Sequence, residues 1–199
     1  MSELTIYGFE TSNNLKVRIA LGLKEIPYRF VTVDPAEREQ LQALSRQSLT
    51  PLLQHGDVVL GDSAAILRYL DANFAQGPRL FGASRTEQWA IEDWEFFART
   101  ELAGPMMHVV HSRVNGTPLD AEATAREADA FAAACARLAA QLAEKPWILG
   151  DAITAADVTA APVLWRVQSS GVLPWPQEAV SLEAWQARVM AYDGRARLS

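Results

Sequence analysis

The chain has 199 residues, of which 49% are hydrophobic and 21% charged, and its formal net charge is −6. This length and composition predict one large or two small globular domains and exclude a disordered protein. The negative charge argues against non-specific nucleic-acid binding, and no apolar run approaches the about 18 residues of a membrane span. The first ten residues lack the basic start of a signal peptide. We therefore expect a cytoplasmic protein with no nucleic-acid or membrane partner.

A single cysteine, Cys135, excludes an intramolecular disulfide and a CxxC redox pair. It shares an apolar stripe with Phe131 and Leu138 in an alanine-rich segment that is typical of a helix. Free cysteine behaves at such positions as a small hydrophobic residue, so we expect Cys135 to pack in the core. No cluster of Cys and His supplies metal ligands, and no metal site is predicted.

The first 74 residues alternate between strand-like and helix-like patterns. Leucine and isoleucine recur every fourth position and predict a buried helix over 13–24. β-branched and aromatic residues predict a strand over 28–33. The predicted order is βαβαββα. Its other members are a strand over 3–8, a polar helix over 36–45, a hairpin over 51–55 and 58–60, and a helix over 62–74.

The remainder of the chain is predicted to be helical. Gly77, Pro78 and Gly82 interrupt the periodicity, which indicates a boundary. The predicted domains are therefore 1–76 and 84–199, with a linker over 77–83. The predicted helices of the second domain cover 84–114, with a kink at the Gly104–Pro105 pair, then 120–144, 154–168 and 182–192.

One of these helices has a clear start signal. Thr154 and Asp157 are three residues apart, as the N-cap residue and its reciprocal partner are in a capping box. We expect Asp157 to stabilise the start of the helix and not to act as a catalytic acid.

The stretch TPLLQHGDVVLGDSAAILRYL at 50–70 indicates a ligand. Pro51 cannot donate to a sheet ladder, and a cis Thr50–Pro51 bond would turn the backbone of Thr50 outward to pair with an extended peptide. Asp62 and Ser63 at a helix start present N–H groups, a hydroxyl and a carboxylate to a ligand that carries both charges. These features predict a small zwitterionic peptide as ligand. A simple helix cap is the compatible alternative for Asp62 and Ser63.

Four segments in order carry a family resemblance: KVRIAL at 16–21, TPLL at 50–53, DSAAILRYL at 62–70 and WILGDAITAADV at 147–158. With them the whole chain resembles the cytosolic glutathione transferases. The resemblance implies an α/β plus all-α fold, with an N-terminal thioredoxin-like domain and an all-helical C-terminal domain. It also implies a detoxifying transferase that uses glutathione as co-substrate and directs its thiolate at an electrophilic or peroxide substrate.

The resemblance assigns glutathione contacts to particular residues. Thr50 would pair its backbone with the cysteinyl part of the tripeptide, with Pro51 as the cis-proline, while Asp62 and Ser63 would hold the γ-glutamyl end. The segment SRQSL before the proline departs from the family's pattern. Candidates for the glycyl carboxylate are therefore Gln47, Arg46 and Arg38.

The loop after the first strand carries three candidate donors to the thiolate. Thr11 falls at the hydroxyl position of the serine-type classes, Ser12 follows it, and Asn13 matches an amide used beside a threonine in some bacterial peroxide-reducing members. We rank them in that order, although each would also suit a helix cap. The loop has no cysteine, so mixed-disulfide chemistry through an enzyme thiol is not expected.

The helical domain would hold a small hydrophobic electrophile. Methionine suits a promiscuous apolar site, and core packing is the alternative. The candidate residues of this electrophile pocket are Phe9, Met106, Met107, Val110, Arg113 and Trp165.

Family members usually form dimers, and we expect a homodimer here.

Two alternative functions remain open. The segment KVRIALGLKEIPYR resembles the first helix of the maleylacetoacetate isomerases, but their loop reads Ser-Ser-Cys where this chain reads Thr-Ser-Asn. A non-enzymatic scaffold, as in the stringent starvation proteins that bind RNA polymerase, is favoured by the atypical SRQSL segment. The donors at 11–13 and the Asp62–Ser63 pair favour glutathione binding instead.

Overall fold

The computed structural model describes residues 3–36 and 38–194, and the chain divides into two compact units. The first unit runs as far as Phe81 and takes in Ala191 to Gly194, and the second unit is Gly82–Met190. The predicted domain limits also reach residues 1, 2 and 195–199, and one predicted helix includes residue 37; these lie outside the described residues. No helix in the described part of the chain is long and apolar enough to span a bilayer.

The first unit contains a four-stranded mixed sheet with the strand order β2–β1–β3–β4. Strand β1 runs parallel to β2 and antiparallel to β3, so that Ile6 lies opposite both Phe30 and Leu53. Three helices alternate with the strands, which confirms the predicted βαβαββα order and the thioredoxin-like fold. The elements are β1 (Leu4–Gly8), α1 (Ser12–Leu23), β2 (Arg29–Thr32), α2 (Glu39–Ser45), β3 (Leu52–His55), β4 (Val58–Leu60) and α3 (Ser63–Asn73).

Helix α1 is buried along almost its whole length. All its residues from Asn14 to Leu23 are buried, and it packs against α3. A helix that is buried on every side cannot keep a polar face to water, so its charged residues need partners inside the fold.

Arg18 on α1 has one partner nearby in the sequence and one far along the chain. Its guanidinium is only 3% exposed, donates to both carboxylate oxygens of Asp193, and lies 2.8 Å from the Glu10 carboxylate. Burial by itself lowers the pKa of Arg18, but the hydrogen bonds and charges of Asp193 and Glu10 outweigh it and raise the pKa overall. The guanidinium therefore ties the loop after β1 to the residues that follow the second unit.

The segment that leaves α3 is held by Lys24. Its buried ammonium group lies 2.9 Å from the Asp71 carboxylate and donates to the carbonyls of Phe74 and Pro78. Asp71 in turn accepts from the backbone N–H of Leu80 at 2.9 Å. These contacts fix the chain as far as the end of the first unit.

The polar helix predicted over 36–45 is shorter in the structure. Asp34 accepts from the backbone N–H of Ala36 at 2.8 Å, which closes a turn, and helix α2 begins only at Glu39. The local hydrogen bond of the aspartate competes with helix formation at the same residues.

The second unit is helical, as predicted. It consists of α4 (Arg85–Phe97), α5 (Ala103–Val114), α6 (Ala121–Leu142), α7 (Ala155–Ser170) and α8 (Glu183–Met190), with a 3₁₀ segment at Gln177–Leu182 before α8. The helix predicted over 182–192 is therefore divided between the 3₁₀ segment and α8.

The single long helix predicted over 84–114 is interrupted. A wider π-type turn occupies Ala98–Leu102 between α4 and α5. Pro105 lacks the N–H that would bond the carbonyl of residue 101, and its ring crowds that carbonyl. The disturbance therefore spreads over the turn that precedes the proline and is not a simple kink at the Gly104–Pro105 pair.

Helix α7 begins at the predicted signal. The backbone N–H and the hydroxyl of Thr154 both donate to the Asp157 carboxylate, at 3.0 and 3.1 Å. The same carboxylate accepts from the Ile148 N–H and the Trp185 indole. Burial raises the pKa of Asp157, while these four hydrogen bonds pull it down. The predicted structural role of Asp157 is confirmed.

Cys135 is fully buried on α6, as predicted. Burial, with a smaller contribution from the charge of Glu178, raises its pKa to about 12. The thiol is therefore protonated at neutral pH.

Candidate functional site

Thr11 ends the loop after β1 and caps the N-terminus of α1. Its backbone is extended, with φ −139° and ψ 161°. Its Oγ1 accepts from the backbone N–H of Asn14 at 3.3 Å and from the side-chain amide of Asn14 at 2.7 Å. The cap that the sequence allowed for any of three residues therefore falls on Thr11.

Asn14 joins the start of α1 to the residue before the proline. Its side chain is fully buried, and its Nδ2 donates to the Oγ1 of Thr50 at 3.1 Å as well as to Thr11. The Thr50–Pro51 bond is cis. The structure thus brings together Thr11 and Thr50, two predicted site residues that are far apart in the sequence, through one amide.

The side-chain carbonyl oxygen of Asn14, Oδ1, is buried and has no hydrogen-bond partner. It lies over the α-carbon of Gly8, where a Cβ atom would overlap it. The missing side chain at Gly8 is therefore what leaves room for the amide. Sequence reasoning missed Asn14, because its role depends on Thr50, which only the folded sheet brings near; the sole local signal was its place three residues after Thr11.

Ser12 and Asn13 form the first turn of α1. Ser12 is half-buried and Asn13 is exposed. The Oδ1 of Asn13 accepts a long hydrogen bond of 3.4 Å from the hydroxyl of Ser63. The starts of α1 and α3 are therefore neighbours, and the predicted donors at 11–13 lie beside the predicted Asp62–Ser63 pair.

Asp62 caps helix α3. Its Oδ1 accepts from the backbone N–H of Ala65 at 2.8 Å, and the residue is exposed, while Ser63 is buried. Only one oxygen of the Asp62 carboxylate is used in this bond, so helix capping and a ligand contact at the other oxygen are compatible.

Two of the three candidates for a ligand carboxylate are attached to neighbouring loops. The amide of Gln47 lies against Gly61, where a Cβ would overlap it. The Arg38 guanidinium donates to the carbonyl of Ser48 at 3.0 Å and stacks on the ring of Phe9, 5.3 Å from its centroid. The third candidate, Arg46, is exposed at the left-handed C-cap of α2, with φ 60°.

The predicted pocket residues other than Phe9 lie in the second unit. Met106 is buried at 2% exposure, which fits the core-packing alternative, whereas Met107 is 36% exposed. Val110 and Arg113 share α5 with them, and Trp165 is half-buried on α7.

Among the described residues, no group of three or more His, Cys, Asp and Glu side chains is arranged to hold a metal ion. His108 bonds the Glu127 carboxylate at 3.0 Å and is largely exposed.

Comparison with known proteins gives two family-model matches. Residues 6–78 match the model for the N-terminal domain of glutathione S-transferases, and residues 121–188 match that for their C-terminal domain. The chain is 28% identical over 197 residues to glutathione S-transferase GstB of Escherichia coli, covering 92% of this chain and 90% of that one.

Two further likenesses bear on function. A crystal structure of a glutathione S-transferase domain-containing protein of Marinobacter aquaeolei is 28% identical, with a TM-score of 0.78 over 94% of this chain and 97% of that one. A stringent starvation protein A homolog of Pasteurella multocida is 28% identical over 186 residues, covering 89% of this chain and 81% of that one.

Proposed function

The chain belongs to the glutathione S-transferase family, and we propose that its first unit binds reduced glutathione and activates the thiol of this tripeptide. The activated thiolate attacks a small hydrophobic electrophile or a peroxide. One observation carries the proposal: Thr11 and Thr50 are joined by the Asn14 amide. A cysteinyl group that pairs with the backbone of Thr50 therefore has its sulfur near the hydroxyl of Thr11.

The two ends of the tripeptide fit the neighbouring groups. The γ-glutamyl end, with its ammonium and carboxylate, meets the free oxygen of Asp62 and the start of α3 with Ser63. The glycyl carboxylate meets Gln47, which belongs to the segment before the cis-proline, or Arg38, which donates to the Ser48 carbonyl of that segment.

Modest interactions are sufficient to activate the thiol. A free thiol has a pKa of about 8.5 and is only a few per cent thiolate at neutral pH. One hydrogen bond to a charged acceptor contributes about 1.5 to 3 kcal/mol, which lowers the pKa by about 1 to 2. The N-terminus of α1 adds about 0.3 to 1 kcal/mol. A hydroxyl donor at Thr11 then lowers the pKa to about 6 to 7, so that a large fraction of the bound thiol is thiolate at neutral pH and no base is required.

The second unit offers apolar side chains to the second substrate. Met107 is exposed and Val110 and Trp165 are half-buried, and methionine provides an adaptable apolar surface. Arg113 is exposed on the same helix as Met107 and suits a substrate with a negative charge.

We further propose a cytoplasmic homodimer. Trp89 and Phe96 lie seven residues apart on α4, two turns along one face, and are 63% and 56% exposed. Exposed apolar patches of this kind mark protein interfaces. Light scattering of the purified protein should give twice the mass of the chain, and Trp89→Glu should give the monomer.

A scaffold without catalysis is the second candidate, and the stringent starvation protein relative favours it. The maleylacetoacetate isomerase alternative has no observation of its own. Calorimetric titration with glutathione separates the candidates, since a scaffold has no need of the tripeptide. Heat of binding that is lost in Asp62→Ala supports the proposal, and no binding at millimolar glutathione overturns both enzymatic candidates.

The catalytic donor is identified by thiolate absorbance of bound glutathione at neutral pH. Thr11→Ala should abolish most of the signal, because its hydroxyl is the proposed donor, while Ser12→Ala and Asn13→Ala should retain it. An unchanged signal in Thr11→Ala, with a loss in one of the other two, would assign the role to that residue.

A further inference from the structure

The Thr11 hydroxyl has its acceptor positions occupied from within the protein. A hydroxyl oxygen offers two lone pairs and one proton. Two N–H groups of Asn14, one from the backbone and one from the side chain, point at the Thr11 oxygen. The proton of this hydroxyl must therefore be directed away from Asn14, and because Thr11 is partly exposed while Asn14 is fully buried, away from Asn14 means toward the surface.

The orientation of the Asn14 amide decides where that proton goes. Rotating the amide by half a turn would place its carbonyl oxygen against the hydroxyls of Thr11 and Thr50 and draw both protons inward. The structure has the opposite arrangement, with the amide donating both protons and its carbonyl oxygen buried over Gly8 without a partner. A helix cap has no need of such an unpaired oxygen, which by itself lowers stability.

We infer that Asn14 is a positioning residue: its side-chain amide holds the Thr11 and Thr50 oxygens as acceptors and thereby aims the Thr11 proton at the sulfur of bound glutathione. This inference rests on the proposed function. Asn14 touches neither sulfur nor substrate, and it acts by fixing the direction in which another residue donates. It also makes Thr11, and not Ser12 or Asn13, the donor.

The test uses two substitutions of Asn14 with different chemistry. Asn14→Asp keeps the shape of the side chain but offers only acceptors when ionised, so it should draw the hydroxyl protons inward. Asn14→Ala removes the amide without adding charge and leaves the Thr11 hydroxyl free to rotate. Because a negative charge alone would also disfavour a thiolate, the alanine variant is the control for charge.

Three quantities are measured for each protein. They are the pKa of bound glutathione from thiolate absorbance against pH, the dissociation constant of S-methylglutathione, which has no ionisable thiol, and the urea midpoint of unfolding. We expect Asn14→Ala to raise the pKa of the bound thiol by about 1, and Asn14→Asp by about 1 to 2 or more, as befits loss of one directed hydrogen bond to sulfur. Affinity for S-methylglutathione should change by less than about threefold in both, since no contact of the tripeptide backbone is removed.

The outcomes separate this inference from the proposed function. Wild-type protein that binds no glutathione overturns both. Wild-type protein that binds glutathione with a lowered thiol pKa, with the same pKa in Asn14→Ala and Asn14→Asp, overturns the role of Asn14 and leaves the proposed function standing. A raised pKa in Asn14→Asp alone shows a charge effect and also overturns it. Should Asn14→Ala fail to fold, Gly8→Ala displaces the amide with position 14 unchanged and must raise the thiol pKa in its place.

Discussion

Helices α1 and α7 begin with the same pair of positions and use them in opposite ways. Each has a threonine as N-cap and a polar side chain three residues later, Thr11 with Asn14 and Thr154 with Asp157. In α7 the threonine hydroxyl donates to the carboxylate, whereas in α1 the threonine hydroxyl accepts from the amide. One change, from acid to amide, decides whether the hydroxyl proton is used inside the protein or is left for a ligand.

The two partners also differ in how completely they are satisfied. Asp157 accepts four hydrogen bonds, from Thr154, Ile148 and Trp185. Asn14 leaves its carbonyl oxygen buried and unpaired. Full satisfaction fits a residue that only holds the fold, and the unsatisfied group at the start of α1 is consistent with the function proposed for that helix start.

The largest effect on stability is expected from truncating Asp157, which accepts four hydrogen bonds. Asp157→Ala leaves the buried N–H groups of Ile148 and Trp185 and the half-buried N–H of Thr154 without an acceptor, and should lower the free energy of unfolding by about 3 to 4 kcal/mol. Urea denaturation measures the loss. Asn14→Ala is the matched variant and should lose only about 1 kcal/mol, because it removes an unpaired oxygen together with the two hydrogen bonds. Equal losses in the two variants would contradict the comparison.

A smaller effect is expected from filling the space beside the amide. Gly8→Ala places a Cβ on the Asn14 carbonyl oxygen, and the forced displacement should lower the free energy of unfolding by about 1 to 3 kcal/mol. Gly104→Ala on α5 is the control, since nothing outside its chain neighbours and the backbone of its own helix lies within 4 Å of its added Cβ. The helix preference of alanine is offset there by the crowding of a residue that precedes a proline, so stability should change by less than about 1 kcal/mol. A Gly8→Ala protein as stable as wild type would mean that the amide is not confined by this contact.

Substituting the two N-cap threonines should lower stability by the same amount but affect the bound thiol differently. Thr154→Val and Thr11→Val each remove a hydroxyl at an N-cap and should each lower the free energy of unfolding by about 1 kcal/mol. Only Thr11→Val should raise the pKa of bound glutathione, which is read from thiolate absorbance against pH. A raised thiol pKa in Thr154→Val would show that general destabilisation, and not the donor at Thr11, controls the thiol.

No effect at all is expected from the protein's own thiol. Burial raises the pKa of Cys135 to about 12, so it stays protonated throughout the range in which bound glutathione titrates. Without glutathione, the absorbance should show no thiolate step at neutral or mildly alkaline pH, and a chromogenic thiol reagent should react only after urea is added. Rapid reaction in the native protein would contradict the burial of this side chain.

The sequence was sufficient where the determining residues are close together. Thr154 and Asp157 lie three residues apart, and their spacing predicted the start of α7. The order of strands and helices followed from periodicity for the same reason. The turn closed by Asp34 and the widened turn before Pro105 are also local, but they compete with a helical pattern, and periodicity alone gave no means of deciding between them.

The candidate site depended on contacts that only folding provides. Asn14 and Thr50 are 36 positions apart in the sequence and are joined by a hydrogen bond. Arg38 likewise contacts two other loops, by a hydrogen bond to the Ser48 carbonyl and by packing on the Phe9 ring. Residue type predicted the donors at 11–13, since all three can bond a ligand. Residue type gave no way of knowing which of them has its acceptor positions already filled.

Arg18 has a consequence for the order in which the protein matures. Its carboxylate partner Asp193 follows the whole of Gly82–Met190 along the chain, although both residues belong to the first unit. During translation the nascent first unit thus holds a buried guanidinium that lacks one of its two counter-charges. We expect the first unit to reach its final stability only after the helical unit has left the ribosome, so that the first part of the protein to be synthesised is the last to be completed.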